Sequence, residues 1–435
     1  MNCGIIAGLN TPENDFVVQV LDSPLQVDAL AWNALLVGQN PFEEPNPFIR
    51  HEYLAAMLES GSATAATGWS ARFVTLRQRG QLVGACALYL KDHSYGEYVF
   101  DHAWAQAYQQ HGLAYYPKAV VAPPFTPVPG ARLLARDAAT RLLLLKAVLA
   151  WCGEQGLSSL HLLFASDDDL KACEAAGLML RHNVQFHWTN SAPGYRDFGD
   201  FLDSLNRDKR KKIRQERRKV ADAGVRFRWS QGAAISRADW DFFYRCYEHT
   251  YEEHGNAPYL SRDFFDRMQG TMAQNWLLFV AEQDGRPVAA SLIALSTDSA
   301  RAATELDVNS QAKIAYGRYW GALERIDCLH FEACYYQPLA WCIAHGYRRF
   351  EGGAQGEHKM ARALMPVKTS SAHWLAHPAF ANAVERFLVR EDEGVQGYLQ
   401  ELARRNPFRP SVPQSGATPA QTPPPADPPR SDGDR

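Results

Sequence analysis

The sequence predicts an α/β protein in which one mixed-sheet unit occurs twice along the chain. The first observation is an internal repeat: Ala-Trp-Cys, a glycine four residues later, a short apolar run and then His-Trp occur at 150–188 and again at 340–374. The second observation is a pair of strand patterns with a turn signal between them, which precedes each copy. The third is a hydrophobic content of 46% in 435 residues, which is enough to bury the cores of two domains.

Each copy predicts the same order of elements. A helix, at about 137–155 and again at 335–345, ends at a glycine suited to a left-handed C-cap. A short apolar strand, a short helix and a strand ending in His-Trp follow. The upstream hairpins have turn signals at 79–80 and 284–285. The whole predicts a mixed sheet with helices on its faces, formed twice.

Composition divides the chain into segments. A polar, turn-forming run at 190–199 separates a first domain, residues 15–195, from a second, residues 196–405, and residues 1–14 form an N-terminal extension. From residue 406 the chain is rich in Pro, Ser and Thr and poor in large apolar side chains. Residues 406–435 are therefore predicted to be a disordered tail.

Charge and cysteine usage exclude several classes of protein. A net charge of -3 argues against general affinity for nucleic acid. The eight cysteines show no CxxC pair, which indicates reduced thiols and a cytoplasmic protein. The N-terminus lacks the charged region of a signal peptide, and the most apolar run is too short to span a bilayer, so we expect no transmembrane segment.

Three longer segments resemble a known family. They are YYPKAVVAPPFTPVPGARLL (115–134), LHFEACYYQPLAWC (329–342) and FEGGAQGEHKMARALMPVKTSSAHW (350–374). These segments resemble the FemAB-like bacterial proteins of peptidoglycan biosynthesis or recognition, and the repeated unit resembles the GNAT acyltransferase fold in the tandem arrangement of the FemABX peptidyltransferases. The resemblance covers roughly residues 15–400.

The resemblance implies two tandem GNAT-like domains and an activity. The expected activity is transfer of an acyl or aminoacyl group to the amine of a small molecule or peptide, in cell-wall peptide metabolism. The alternative is a non-catalytic module that binds a peptidoglycan precursor or fragment. Product formation distinguishes the two, because a binding module shows affinity without turnover.

The densest group of chemically active residues lies in the second domain, at 351–362. A predicted strand leads there into a glycine-rich turn and a short helix, which would present backbone N–H groups to an anion or an oxyanion. A histidine at the turn is a candidate general base that a neighbouring carboxylate can orient. The expected catalytic residues are Lys359, His358, Glu357 and Glu351. The expected donor-binding residues are Gly352, Gly353, Gln355, Gly356 and Arg362.

The first domain has no such turn. Its matching segment, 165–169, reads as a helix N-cap followed by an acidic first turn, so the reaction is expected in the second domain or between the two. Acceptor binding is assigned to Tyr116, Lys118 and His373, although a surface role for the first two and a packing role for His373 remain open. No metal-binding motif is present, and none is expected.

The donor is left open between acyl-CoA and aminoacyl-tRNA, with no tightly bound cofactor. GNAT enzymes cradle the pyrophosphate of coenzyme A on a glycine-rich loop before the helix of each unit. Here the matching segments are 332–338, without glycine, and 123–130, in which prolines remove N–H donors. These segments disfavour coenzyme A. FemABX enzymes take an aminoacyl group from charged tRNA.

A strongly basic helix is predicted at the start of the second domain, over 203–223. Nine of the sixteen residues in 205–220 are Lys or Arg, with a narrow apolar stripe at Leu202, Leu205, Ile213 and Val220. Three interpretations stay open: a solvated connecting face, a site for tRNA or a nucleotide-linked precursor, and contact with an anionic membrane surface. The oligomeric state is not predicted.

Overall fold

The computed structural model describes residues 4–5, 16–297, 311–353 and 356–409. Within these ranges the strands are β1 Gly4–Ile5, β2 Phe16–Leu21, β3 Trp69–Gln78, β4 Gln81–Lys91, β5 Lys118–Val121, β6 Leu134–Ala135, β7 Ser159–Leu162, β8 Met179–Thr189, β9 Val225–Gln231, β10 Trp276–Gln283, β11 Arg286–Leu295, β12 Ile314–Ala322, β13 Arg349–Glu351 and β14 Met365–Leu375.

The helices of the same ranges lie on the faces of the sheet. They are α1 Ala29–Val37, α2 His51–Glu59, α3 His102–Gln110, α4 Ala138–Glu154, α5 Asp167–Ala175, α6 Phe198–Ser204, α7 Arg207–Asp222, α8 Arg237–Glu253, α9 Arg262–Thr271, α10 Leu329–Phe331, α11 Gln337–Ala344 and α12 Pro378–Arg404. A π-helical segment, Glu332–Tyr336, joins α10 to α11, and a 3-10 helix covers Glu357–Arg362.

One continuous mixed sheet runs through both halves of the chain. Its strand order is β1-β2-β3-β4-β5-β7-β14-β8-β13-β12-β11-β10-β9, and β6 pairs with β4. The strand β8 of the first half pairs with β13 of the second, and β14 of the second half pairs with β7 of the first. Pairing therefore crosses residue 195, so the predicted domains 15–195 and 196–405 are halves of the chain that exchange their last strands.

The predicted α/β class and the repeated unit are confirmed. The helix α4 is capped by Asp137, and the glycines that follow α4 and α11 have the left-handed φ values of +64° and +70°. Both hairpin turns have two consecutive residues with positive φ, which matches the right-handed twist of the strands they join. The structure thus forms the element order that the repeat predicts.

The largest hydrophobic core contains residues from both halves. Phe48 and Tyr53 of the first half meet Tyr316 and Phe264 of the second, with ring centroids 5.4 Å apart in both pairs. Edge-to-face contacts of this kind stabilise a core beyond the area that they bury. The two halves are therefore held together by shared packing as well as by exchanged strands.

Two predicted boundaries are different in the structure. The basic helix begins at Arg207 and not at residue 203, because the side chain of Asn206 caps α7 by accepting from the N–H of Lys209. Leu202 and Leu205, which the sequence places on the same stripe, precede this helix and are buried. At the start of the predicted tail, Phe408 forms a β-bridge with Leu205. The rest of the tail, residues 410–435, lies outside the described residues.

The cysteines in the described part of the chain are unpaired. No helix within those same ranges is both long and apolar enough to cross a membrane.

Candidate functional site

A cavity of about 340 Å³ lies between the halves, at the point where β12 and β13 stop pairing. These parallel strands are bonded only along Ile314–Tyr316 and Arg349–Glu351. The cavity begins at the next residues, Gly317 and Gly352. It is lined by Tyr98, Phe125, Pro127, Tyr247, Tyr251, Tyr259, Leu260, Gly317, Arg318, Tyr319, His330, Tyr335, Gly352, Gly353, His358 and Lys359.

The glycine-rich turn after β13 forms one wall of this cavity. Gly353 and Gly356 have φ values of +86° and +115°, which side-chain-bearing residues rarely adopt. A Cβ at Gly352 would lie 2.4 Å from Cδ2 of Leu364. The glycines are therefore needed for the path of the turn, and this path brings His358 and Lys359 to the cavity.

Lys359 is a buried lysine that faces the cavity. Its side chain donates to the carbonyl oxygen of Gly353 at 2.9 Å, and no Asp or Glu of the described chain forms an ion pair with it. Burial lowers the pKa of Lys359 to about 8. An ammonium group with so low a pKa is able to stabilise an oxyanion and to exchange a proton near neutral pH.

His358 lies next to Lys359 and contacts Tyr335. Its Nε2 is 3.2 Å from the hydroxyl oxygen of Tyr335. Burial, together with the neighbouring cations Arg362 and Lys359, lowers the pKa of His358, so the ring is neutral at pH 7. A neutral imidazole at the edge of a cavity is suited to accept a proton.

The carboxylates predicted to orient His358 are placed elsewhere. Glu351 is buried outside the cavity lining, where Arg349 donates to it at 3.0 Å and Nε2 of His187 lies 3.9 Å away. Glu357 is at the surface, bonded to Tyr398 and Arg405. Neither contacts His358, so the structure does not support their expected role in orienting the base.

Arg362 also points away from the cavity. It forms a two-point ion pair with Glu216 of α7, at 3.0 Å to each carboxylate oxygen, and its guanidinium lies over the ring of Phe331. Glu216 also accepts a hydrogen bond from Tyr336. In this arrangement Lys359 and Arg362 have different partners, and Arg362 joins the basic helix to the glycine-rich turn.

The helix after the turn is not the anion site that the sequence predicts. It is a 3-10 helix of six residues, and the N–H of Gly352 already donates to the carbonyl oxygen of Phe186 at 3.3 Å. Too few aligned peptide dipoles are present for a strong N-terminal field. Gln355, expected to bind the donor, lies outside the described residues.

The residues expected to bind the acceptor belong to a buried network in the first half. Lys118 is inaccessible and donates to Ser94, Glu97 and Asp101, and the ring of His161 lies 2.7 Å from that of His373, measured between their Nδ1 atoms. Tyr116 contacts Ser94 at 2.8 Å. None of these three predicted residues lines the cavity.

Electrostatic effects in this network are strong. Burial raises the pKa of Glu97 to about 7, although Lys118 opposes the rise. Burial also lowers the pKa of His161 to about 3, so this ring is neutral at pH 7. The network is buried and held by its own ion pairs, which indicates a structural role.

The sequence reasoning missed Arg318 and the tyrosines of the cavity. Arg318 interrupts the apolar run IAYGRYWGA of β12, and a single cation in a buried strand is the signal that identifies it. The tyrosines come from segments far apart in the chain, and no local pattern in the sequence joins them.

The exposed face of α7 carries a stripe of cations. Arg207, Arg210, Lys211, Arg214 and Arg218 follow helical spacing and surround one shallow groove. Asp203 is the acidic neighbour of Arg210 and Arg214, at 3.3 and 3.8 Å. The stripe gives this face of α7 a concentration of positive charge.

Comparison with known proteins identifies a family. A model of the FemAB-like family, described as peptidoglycan biosynthesis/recognition, matches residues 23–410. No curated protein matches the chain.

Several solved structures are similar to the chain at low identity. The crystal structure of FemX is similar with a TM-score of 0.50 at 10% identity, covering 82% of this chain and 98% of FemX. L-PGS from Bacillus licheniformis has a TM-score of 0.45 at 12% identity, covering 80% of this chain and 99% of its own. A tandem GNAT protein from the clavulanic acid biosynthesis pathway has a TM-score of 0.42 at 14% identity, covering 83% and 99%.

Proposed function

The chain belongs to the FemAB-like family, and we propose that it is a transferase that moves an acyl or aminoacyl group onto an amine in cell-wall peptide metabolism. The reaction is placed in the cavity between β12 and the glycine-rich turn. The observation that carries the proposal is the pairing of a buried lysine of lowered pKa, Lys359, with a neutral histidine, His358, at the wall of one cavity.

Each of the two residues has a role in the proposed step. The amine nitrogen attacks the acyl carbonyl carbon, the C–N bond forms, and the ammonium group of Lys359 stabilises the oxyanion. His358 takes a proton from the attacking nitrogen. The bond from carbon to the leaving oxygen or sulfur then breaks, and His358 returns the proton to the leaving group, so atoms and charge balance.

The donor proposed is an aminoacyl-tRNA rather than acyl-CoA. The segment that cradles pyrophosphate in GNAT enzymes is helical here, because α10, the π-helical segment and α11 run without a break from residue 329 to 344. Its N–H groups are directed into the helix. The cationic stripe of α7 offers the complementary surface for the phosphates of a tRNA.

Turnover with substitution of Lys359 tests the proposal. The purified protein is mixed with aminoacyl-tRNA or acetyl-CoA and a peptide amine, and product is measured by mass. Lys359→Met is expected to lower turnover at least about 100-fold without lowering the melting temperature, because one oxyanion donor contributes that much to rate. Lys368→Met, on the exposed part of β14, is the matched control and retains activity.

Two results would contradict parts of the proposal. Full turnover by Lys359→Met removes this lysine from the mechanism. Affinity for a peptidoglycan fragment without product from either donor supports the second candidate, a non-catalytic recognition module. That candidate is favoured by the position of Glu351 and Glu357, since no carboxylate of the described residues then orients His358.

A further inference from the structure

The charged residues that line the cavity are cations only. Arg318 and Lys359 face it, and no Asp or Glu is found in its lining among the described residues. The two histidines of the lining are neutral at pH 7, since burial lowers the pKa of both and brings that of His330 to about 4. The cavity therefore concentrates positive charge.

Arg318 is a cation of the cavity wall that has no carboxylate partner within the described chain. Its Nη2 donates to the carbonyl oxygen of Phe125 at 2.8 Å, and its guanidinium carbon lies 5.3 Å from the ring of Phe48 and 5.2 Å from that of Tyr319. A guanidinium has five N–H donors, and the carbonyl oxygen of Phe125 and the neighbouring Tyr319 are the partners found among the described residues. Part of its hydrogen-bonding capacity is therefore available to a ligand.

The surroundings of Arg318 are aromatic. Six tyrosines line the cavity, and Phe125 stacks on Tyr259 at its mouth with centroids 4.6 Å apart. Partly buried cations in low-dielectric surroundings are costly unless an anion neutralises them. Aromatic walls supply apolar contact for the body of a ligand and leave recognition of its charged end to Arg318.

We propose that Arg318 is the anchor of an anion subsite, and that the cavity takes a ligand with a carboxylate or phosphate group attached to an apolar or aromatic body. The guanidinium binds the anionic group by two parallel hydrogen bonds, as the fork geometry of arginine favours. This subsite adds to the proposed function, because it makes the substrate that bears an anionic group the one that occupies the cavity. Its role in catalysis rests on the proposed function.

A consequence for substrate charge follows. A free α-ammonium group finds no carboxylate in the cavity lining and meets Arg318 and Lys359 instead. The anionic end of a substrate is therefore bound beside Arg318, and an ammonium group is kept away from that end of the cavity.

A series of three small probes that differ only in charge tests the subsite. N-acetylphenylalanine is an anion, N-acetylphenylalaninamide is neutral and phenylalaninamide is a cation. By calorimetry at low salt the anion is expected to bind at least about tenfold more tightly than the neutral probe, since charge-assisted bonds contribute about 1.5–3 kcal/mol. The cation is expected to bind most weakly. Phenyl phosphate, compared with N-acetylphenylalanine, distinguishes a phosphate from a carboxylate ligand.

Variants connect the preference to the residue. Arg318→Gln removes the charge and is expected to reduce the preference for the anion to about twofold or less, because one charge-assisted pair is lost. Arg325→Gln, an exposed arginine after β12, is the matched control and keeps the preference. If Arg318→Gln does not fold, the probe series on the unaltered protein still decides.

The two proposals fail in different ways. Equal binding of the three probes, or tighter binding of the cation, overturns the anion subsite whatever the protein catalyses. Anion binding without product from any donor overturns the transferase and leaves the subsite in place.

Discussion

The two halves of the chain place matching residues at matching positions of the sheet, and yet they differ where the paired strands end, because the second half has two glycines of the cavity lining there. In the first half His161 of β7 lies opposite His373, and Leu160 lies opposite Trp374. In the second half Glu351 of β13 lies opposite His187, and Phe350 lies opposite Trp188. The strands exchanged between the halves thus end in the same His-Trp pair in the same register.

This register places two glycines of the second half at the cavity. Val121 pairs with Leu162 at the end of β5 and β7, and the positions that match them are Gly317 and Gly352. Both aliphatic side chains are fully buried. The first half thus has an aliphatic side chain at each of these two positions, whereas the second half has none, and both of its glycines line the cavity.

Arg132 of the first half and Arg318 of the second differ in how many hydrogen bonds they donate to the protein. Arg132 is buried in the first half and donates to the carbonyl oxygens of Leu163, Val128 and Gly130. Arg318 of the second half stands at the position that matches Ala122 and donates to one carbonyl oxygen. The comparison indicates that Arg132 serves the structure of its own half, whereas Arg318 keeps hydrogen-bonding capacity for a ligand.

The lysines of the halves provide the strongest test of this difference. Lys118→Met leaves Glu97 and Asp101 buried without their cation, so the free energy of unfolding is expected to fall by about 3–5 kcal/mol. Lys359→Met removes a buried ammonium that no acid of the described residues compensates, so the same measurement is expected to show an unchanged or higher stability. Denaturant titration of both variants measures the two effects.

Equal losses for the two lysines would contradict the comparison. Such a result would mean that Lys359 is also a structural residue, and its assignment to the chemistry would then lack support.

A side chain added at Gly317 of the second half is expected to have a smaller effect on stability and a clear effect on ligand binding. In Gly317→Val the added Cβ lies 3.0 Å from Cζ of Phe350, so the ring must move by a few tenths of an ångström. The free energy of unfolding is therefore expected to fall by about 1–3 kcal/mol. Because Gly317 lines the cavity, the added side chain and the displaced ring of Phe350 are expected to narrow it. Affinity for an anionic probe is expected to fall at least about tenfold, by calorimetry.

Gly153→Ala is the control for this substitution. A Cβ at Gly153 of α4 meets nothing within 4 Å, so the change is expected to raise stability by about 1 kcal/mol and to leave binding intact. Undiminished binding by Gly317→Val would place the ligand elsewhere.

The sequence was sufficient for the elements and insufficient for their assembly. The repeat, the hairpin turns and the C-cap glycines are local patterns, and the structure contains them where they were predicted. The exchange of β8 and β14 is not a local feature. The sequence pattern of either strand would also allow it to pair within its own half, and the register across the whole sheet decides which strands pair.

The candidate site was predicted in part for the same reason. The glycine-rich turn is one continuous segment, and it brings Lys359 and His358 to the cavity. Charge alone did not show that Glu351, Glu357 and Arg362 have other partners, because those partners lie on β8, α12 and α7. Arg318 was missed although a lone cation in an apolar strand is a visible signal.

The pH dependence of turnover is the last test of the difference between the lysines of the two halves, and its expected effect is the smallest. The proposed step needs His358 neutral and Lys359 protonated, so kcat/KM is expected to rise toward pH 7 and to fall about tenfold per unit above pH 8, where Lys359 loses its proton. Lys118, the buried lysine of the first half, does not line the cavity, so its protonation is not expected to affect the rate. In Lys359→Arg the upper limb is expected to vanish, since a guanidinium stays charged throughout this range. If kcat/KM of this variant still falls above pH 8, the fall belongs to the titration of another group. Lys359 would then not be the group whose loss of a proton limits the rate.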